Sequence, residues 1–213
     1  MSNVFFDTFW PGAIVWSVLY VSDYVLTLSC ARLYQAGVKE KIVFEGSYEL
    51  TPFFQKDINS LRRISPRFLV MLALSVSWLA LVWWLVGESL NELYQLALGY
   101  LILLQLMVHT RHLRNLFLFR AMSRTNEVRG RIEYSRTLLL RTSSLECLIF
   151  SGLYLVLFGF VQNYFLLGGT IGCFLVATKH SRLASKLHPI IRSDQRTELA
   201  DSESSTKIPE TSG

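Results

Sequence analysis

Five apolar runs divide the chain, and its positive charges are confined to alternate segments between them. The runs cover residues 13–31, 68–86, 92–109, 145–161 and 164–178. All 21 Lys and Arg residues follow the first, third or fifth run, and none precedes the first or follows the second or fourth. If each run crosses a bilayer, every positive charge falls on one side, which is the asymmetry that orients membrane proteins. We therefore expect a bundle of membrane-spanning helices.

The lengths of the runs favour five crossings. A helix needs about 20 apolar residues to cross the hydrocarbon core, and residues 68–86 contain no charge. The stretch 145–178 is too long for one crossing and suits a helical hairpin that turns at Gln162 and Asn163. We predict an all-α fold with five transmembrane helices, the N-terminus outside and the C-terminus in the cytoplasm, most simply in a plasma (inner) membrane. Four spans are the alternative if the last two runs, 145–161 and 164–178, do not form two separate crossings.

The segments between the runs also carry structural signals. Pro52 is followed by Phe54, Ile58 and Leu61 at helical spacing, which predicts a short amphipathic helix in the first cytoplasmic loop. This helix lies either in the plane of the lipid headgroups or under the protein's own bundle.

The second cytoplasmic loop has a composition typical of helices, with no proline and a single glycine, Gly130. The helix of the third run should continue to about Ser123, and another should begin near Gly130 and lead into the fourth span. We expect one membrane domain over residues 1–192. Residues 193–213 are acidic and lack an apolar period, so we predict a disordered cytoplasmic tail.

Asp23 lies near the middle of the first span. An acid at the bilayer centre costs at least ~2.5 kcal/mol, so it should face a partner or a cavity. Counting depth along the spans places Ser77, Tyr100 and Tyr154 close to its level, and Thr27 lies one helical turn further along the first span. These five residues form the predicted intramembrane polar site. It is either a network of structural hydrogen bonds or the proton site of a small proton-coupled transporter.

A second candidate site combines acids and histidines at the cytoplasmic surface of the membrane. Its members are Glu45, Glu49, His109 and His112, and the two histidines are spaced to share one side of a helix. Such a set can hold a divalent metal that activates water, in an enzyme acting on a lipid at the interface. The metalloprotease spacing H-E-x-x-H is absent. Structural ion pairs are the alternative, and we predict no cofactor.

The stretch from Thr110 to Ser144 contains eight Arg residues and no Lys. Arg binds phosphate with two parallel hydrogen bonds, whereas Lys acts as a point charge. Arg111, Arg114 and Arg120 are therefore the candidates for binding anionic lipid headgroups. The leading hypothesis is a non-enzymatic membrane protein whose Arg-rich cytoplasmic face engages anionic lipid or a protein partner. The net charge of +5 is explained by topology and lipid, without nucleic acid.

Small residues recur along the fifth run. Gly168 and Gly172 are four residues apart, a spacing that lets two helices approach closely. Gly152 and Gly159 in the fourth run offer a matching smooth face. The pattern predicts tight packing of the hairpin within one protomer, or a homodimer through Gly168 and Gly172.

Overall fold

The chain folds almost entirely into helices. The computed structural model describes residues 4–46, 52–86, 90–124 and 130–205, with side chains except at positions 4, 5, 52 and 188–205. The elements, in chain order, are α1 (Val4–Asp7), α2 (Phe9–Gln35), a 3-10 turn (Val38–Glu40), β1 (Ile42–Phe44), α3 (Pro52–Asn59), α4 (Pro66–Val86), α5 (Asn91–Arg124), β2 (Ile132–Tyr134), α6 (Arg136–Val161) and α7 (Tyr164–Ser205). The predicted helical class is confirmed.

Four helices, α2, α4, α5 and α6, are long and apolar enough to cross a membrane. They contain the first four runs recognised in the sequence. The fifth run opens α7, but it is shorter than the others, and the helix becomes polar from Lys179 onward. Helix length and composition thus support a bundle of membrane-crossing helices.

The helical hairpin turns at the residues predicted from the sequence. Helix α6 ends at Val161 and α7 begins at Tyr164. Gln162 takes up the left-handed conformation, with φ of 53°, and its N–H donates to the carbonyl oxygen of Phe158 at 2.8 Å. This is a common way to end a helix, because the left-handed residue reverses the chain and satisfies a terminal carbonyl.

The small residues of α7 pack against α5. A side chain on Gly168 would overlap the carbonyl oxygen of Leu96, and one on Gly99 would overlap the carbonyl oxygen of Phe165. Gly172 lies beside the backbone and ring of Tyr100. The two helix backbones are therefore in direct contact, which only glycine permits.

The two helices of the hairpin pack against each other as predicted, with the Ser151 hydroxyl of α6 donating to the carbonyl oxygen of Thr170 of α7 at 3.0 Å. The expected match of their glycines was wrong, because a Cβ atom added to Gly152 or Gly159 would meet no other described part of the chain within 4 Å. Since α5 already covers Gly168 and Gly172, a homodimer would need a different surface. Spacing identifies a smooth helix face but does not reveal which helix lies against it.

The segment before α6 is a strand where we expected helix. Ile132–Tyr134 (β2) pairs in parallel with Ile42–Phe44 (β1), placing Ile42 opposite Ile132 and Phe44 opposite Tyr134. Helix α6 begins only at Arg136, after Ser135 accepts a hydrogen bond from the N–H of Leu138. Gly130, with φ of 88°, is a turn residue. Helix α5 ends at Arg124, close to the predicted end near Ser123.

The helix expected after Pro52 is present as α3 and packs under the bundle. Ile58 is buried in a cluster with Tyr24 and Phe68, so contact with the protein's own helices holds α3. Leu61 lies beyond the end of α3, with φ of 50°, and does not belong to the predicted helical stripe.

Helix α7 continues to Ser205, into the stretch that we expected to be disordered. Residues 190–205 contain neither Pro nor Gly. A helix that is already nucleated extends at little cost. The remainder of the predicted tail, 206–213, is outside the described residues.

Candidate ligand-binding cavity

A cavity of about 610 Å³ opens where α2, α3, α4, α5, α6, α7 and the two strands meet. We call this end of the molecule the basic end, because it adjoins the two Lys- and Arg-rich connections before α4 and α6. The volume lies in the range of small-molecule sites. Its lining is rich in aromatic side chains, namely Tyr20, Tyr24, Phe44, Phe54, Phe68, Phe119 and Tyr134. The lining also includes charged and polar side chains.

Asp23 lines the cavity and contacts His112 of α5. The carboxylate oxygen Oδ1 lies 3.7 Å from His112 Nε2, and Thr27 Oγ1 lies 3.4 Å from the same nitrogen. All three side chains line the cavity. The sequence placed Asp23 and Thr27 in one candidate site and His112 in another, and the fold joins them.

The rest of the predicted intramembrane site lies elsewhere. Ser77 is exposed on α4. The Tyr154 hydroxyl donates to the carbonyl oxygen of Leu103 at 3.2 Å, and the Tyr100 ring lies against Gly172. None of these three residues is part of the cavity wall. Counting residues gives the depth of a side chain but not its direction around the helix axis, which turns by about 100° per residue.

Two residues of the cavity lining each have a buried polar atom without a hydrogen-bond partner among the described residues. The atoms are Gln105 Nε2 and His112 Nδ1. Gln105 is only 8% exposed, and the two residues are seven positions apart, on the same side of α5. Buried polar groups in proteins are nearly always hydrogen-bonded, so leaving these two atoms unsatisfied costs stability.

Two of the three predicted arginines flank the cavity. Arg111 Nε donates to Glu146 Oε2 at 2.6 Å, and Arg114 contacts the other oxygen of the same carboxylate. The Arg111 side chain is 16% exposed, whereas that of Arg114 is 59% exposed. Arg120 is exposed and is not part of the lining. Glu146 thus holds two guanidinium groups at the cavity.

Helix α7 adds two residues that the sequence did not single out. Lys179 and His180 line the cavity, and His180 Nδ1 lies 2.8 Å from Ser143 Oγ. Glu146 stands near the start of the fourth apolar run, where a charged residue is a signal for a buried partner.

With histidines neutral, the lining carries three positive and two negative groups. The positive groups are Arg111, Arg114 and Lys179, and the negative groups are Asp23 and Glu146.

The three described residues of the predicted metal site, Glu45, His109 and His112, do not form a cluster that could hold a metal. Glu45 is exposed, and its Oε2 accepts a hydrogen bond from the Arg136 N–H at 2.8 Å, at the N-terminus of α6. Both nitrogens of His109 are in contact, with Ser22 Oγ at 2.7 Å and the Gln105 carbonyl oxygen at 2.9 Å. Glu49 lies outside the described residues. Within those residues, no group of three or more His, Cys, Asp or Glu side chains is arranged to hold a metal.

The fold and the cavity define the class of this molecule. It is a helical bundle with four helices long and apolar enough to cross a membrane, and it encloses a mixed polar and aromatic cavity at its basic end. No family model, no curated protein and no solved structure matches the chain. The argument for its function therefore rests on the geometry of the cavity.

Proposed function

We propose that the chain is a multi-pass membrane protein that binds an anionic phospholipid in this cavity, at the cytoplasmic leaflet, without catalysing a reaction. The observation that carries the proposal is a lining that combines many aromatic side chains with the cations Arg111, Arg114 and Lys179. A phospholipid combines the same two chemistries, since it joins a phosphate to apolar chains.

The proposed topology has five spans, with the N-terminus outside and the C-terminus in the cytoplasm. The fifth apolar run, 164–178, would span only about 22 Å, less than the hydrocarbon thickness of about 30 Å. Helix α7 continues beyond it, and the exposed Lys179 and Arg182 have stems long enough to extend their charges to the interface. The basic end then faces the cytoplasm.

Arg114 is the best placed residue to bind the phosphate. Its contact with Glu146 leaves most of an exposed guanidinium group available. An Arg fork matches the oxygens of a phosphate in geometry as well as in charge. Arg111 is more buried and is held by Glu146, so it contributes positive potential from within the wall. Lys179 adds a further positive charge.

The proposal is tested by replacing the two exposed cations. The double variant Arg114→Gln/Lys179→Gln should lose its preference for phosphatidylglycerol over phosphatidylcholine. Hydrogen bonds to charged groups contribute about 1.5–3 kcal/mol each, so we expect at least tenfold weaker retention of the anionic lipid. Native mass spectrometry of protein released from mixed vesicles measures this ratio.

The matched control is Arg120→Gln/Arg141→Gln. Both residues are exposed and outside the cavity lining, and the net charge falls by the same amount. This control should retain the preference of the wild type. An equal loss in both double variants would show that net charge alone attracts the lipid. A wild-type protein indifferent to lipid charge would refute the proposal.

One observation favours an enzyme acting on a lipid as the second candidate. The Asp23–His112 pair lines the cavity, and a carboxylate beside an imidazole is a common arrangement for general-base catalysis. The same mass spectra separate the two candidates. An enzyme would convert its bound lipid to a product of different mass, whereas a binding protein would return the lipid unchanged.

A further inference from the structure

We infer that His180 is a further ligand of the lipid phosphate, and that it takes up a proton when the lipid binds. The inference rests on the proposed function and adds a residue to its site. It starts from a small cluster in the cavity lining, formed by His180 of α7, Ser143 of α6 and Arg111 of α5.

Ser143 holds this cluster together. Its hydroxyl oxygen Oγ lies 2.8 Å from His180 Nδ1, and its carbonyl oxygen accepts a hydrogen bond from Arg111 Nη2 at 3.5 Å. The imidazole of His180 and the guanidinium of Arg111 are therefore neighbours, each in contact with the same residue. His180 thus lies beside one of the cations that we propose to attract the phosphate.

The contact with Ser143 determines what the other ring nitrogen can do. Ser143 is 3% exposed, and within the described residues its hydroxyl has no other hydrogen bond. A buried hydroxyl that donates to nothing costs stability, so beside a neutral imidazole it donates to Nδ1, and the ring proton is on Nε2. His180 is half-buried, and Nε2 is not among the unpartnered atoms that are sealed off from solvent. Nε2 can therefore donate to an oxygen of a phosphate in the cavity.

The site also accommodates the protonated ring. An imidazolium donates through both nitrogens, so Ser143 would accept from Nδ1 and turn its own hydrogen elsewhere. A serine within a helix can donate to the carbonyl oxygen four residues earlier, as Thr142 does to Leu138 at 3.0 Å. Protonation thus preserves the contact with Ser143. It also makes the bond from Nε2 to phosphate charge-assisted, roughly twice as strong as a neutral one.

In the empty cavity, His180 is neutral at pH 7. Burial, Arg111 and Lys179 together lower its pKa from 6.5 to about 4. The other groups of the lining that carry charge or titrate near neutral pH are Arg114 and His112 of α5, Glu146 of α6 and Asp23 of α2. A bound phosphate brings a negative charge that offsets Arg111 and Lys179, so the pKa of His180 rises when the lipid binds.

Lipid binding and protonation of His180 then favour each other. The affinity rises as the pH falls through the pKa of the bound state, and the rise ends near the pKa of the empty state. With the pKa restored by phosphate to its ordinary value of 6.5, the affinity is about tenfold higher at pH 5.5 than at pH 7.5. The phosphodiester of phosphatidylglycerol keeps its single negative charge over this range, so the lipid itself contributes no such change.

Titrations with phosphatidylglycerol at these two pH values test the inference. Lipid is added to delipidated protein in detergent, and native mass spectrometry measures the bound fraction. The wild type should bind about tenfold more tightly at pH 5.5. His180→Gln should bind equally at both pH values, because an amide donates a hydrogen bond but does not titrate.

The matched control is His109→Gln, which should keep the tenfold change. His109 is outside the cavity lining, and its two nitrogens already contact Ser22 Oγ and the Gln105 carbonyl oxygen. A measurement on the wild type alone covers the case in which a variant does not fold. In an NMR titration, the imidazole signal with nuclear Overhauser contacts to Ser143 should report a pKa that rises when phosphatidylglycerol is added.

An increase in affinity at pH 5.5 that persists in His180→Gln, or that disappears in His109→Gln, would overturn the inference. An unchanged imidazole pKa in the NMR titration would do the same. A wild type that binds equally at both pH values, yet still prefers phosphatidylglycerol over phosphatidylcholine, would overturn the inference and leave the proposed function standing. A wild type without that lipid preference would refute the proposed function itself.

Discussion

Gln105 is a buried polar residue of α5 whose amide nitrogen Nε2 has no hydrogen-bond partner among the described residues. An unsatisfied buried polar group costs about 1–3 kcal/mol, and Gln105 is only 8% exposed. Leucine at this position would remove that cost and fill similar space.

Gln105→Leu should therefore raise the stability of delipidated protein. We expect a gain of about 1 kcal/mol, or roughly 2–4 °C in Tm for a chain of this size. Thermal unfolding in detergent measures it. A lower Tm for the delipidated variant would show that the amide is already satisfied.

For single residues, the sequence predicts that a side chain requires a polar contact better than it predicts which residue supplies the contact. The requirement that Asp23 face a partner follows from its place in an apolar run, and His112 meets it at 3.7 Å. The identity of that partner depends on how α2 and α5 are rotated about their axes. Counting residues along the sequence gives the depth of a side chain but not this rotation. For the same reason Ser77, Tyr100 and Tyr154 share a predicted depth with Asp23 but face other surfaces.

At the scale of elements, apolar runs and polar breaks predict helices well. The hairpin turn at Gln162 and Asn163 is where the sequence placed it, because polar residues interrupt a run too long for one helix. The strand pair was missed since β1 and β2 have three residues each, too few for a period-two pattern to emerge. Their pairing also joins distant parts of the chain, and local sequence carries little information about such contacts.

The close contact of α5 and α7 gives a prediction with a built-in control. Gly168→Val should destabilise the protein by about 3 kcal/mol, the upper part of the range for overpacking, because the added side chain meets the α5 backbone. Gly152→Val should have little effect, since a Cβ added to Gly152 would meet no other described part of the chain within 4 Å. Chemical unfolding in detergent compares them. Similar losses in both variants would mean that α7 does not pack on α5 in this way.

At the scale of the whole molecule, the charge distribution predicts orientation. The three native cysteines, Cys30, Cys147 and Cys173, are buried, so a thiol added at an exposed position can be labelled selectively.

Asp7→Cys should react with a membrane-impermeant maleimide added to intact cells, whereas Arg120→Cys should react only after permeabilisation. Asp7 and Arg120 are both exposed. The reverse pattern would invert the proposed topology. Labelling of both positions from outside would contradict an odd number of spans between Asp7 and Arg120.

The strand pair has a consequence for the order in which the molecule is built. Its register joins Ile42 to Ile132, a separation of 90 residues, and it carries Phe44 and Tyr134 into the cavity wall. Closing so long a loop is slow compared with forming a helix. On a chain that emerges from its N-terminus, α2 through α5 are complete before the second strand exists. The cavity is thus finished late in synthesis, and a nascent chain that stops before residue 134 has helices but no enclosed site.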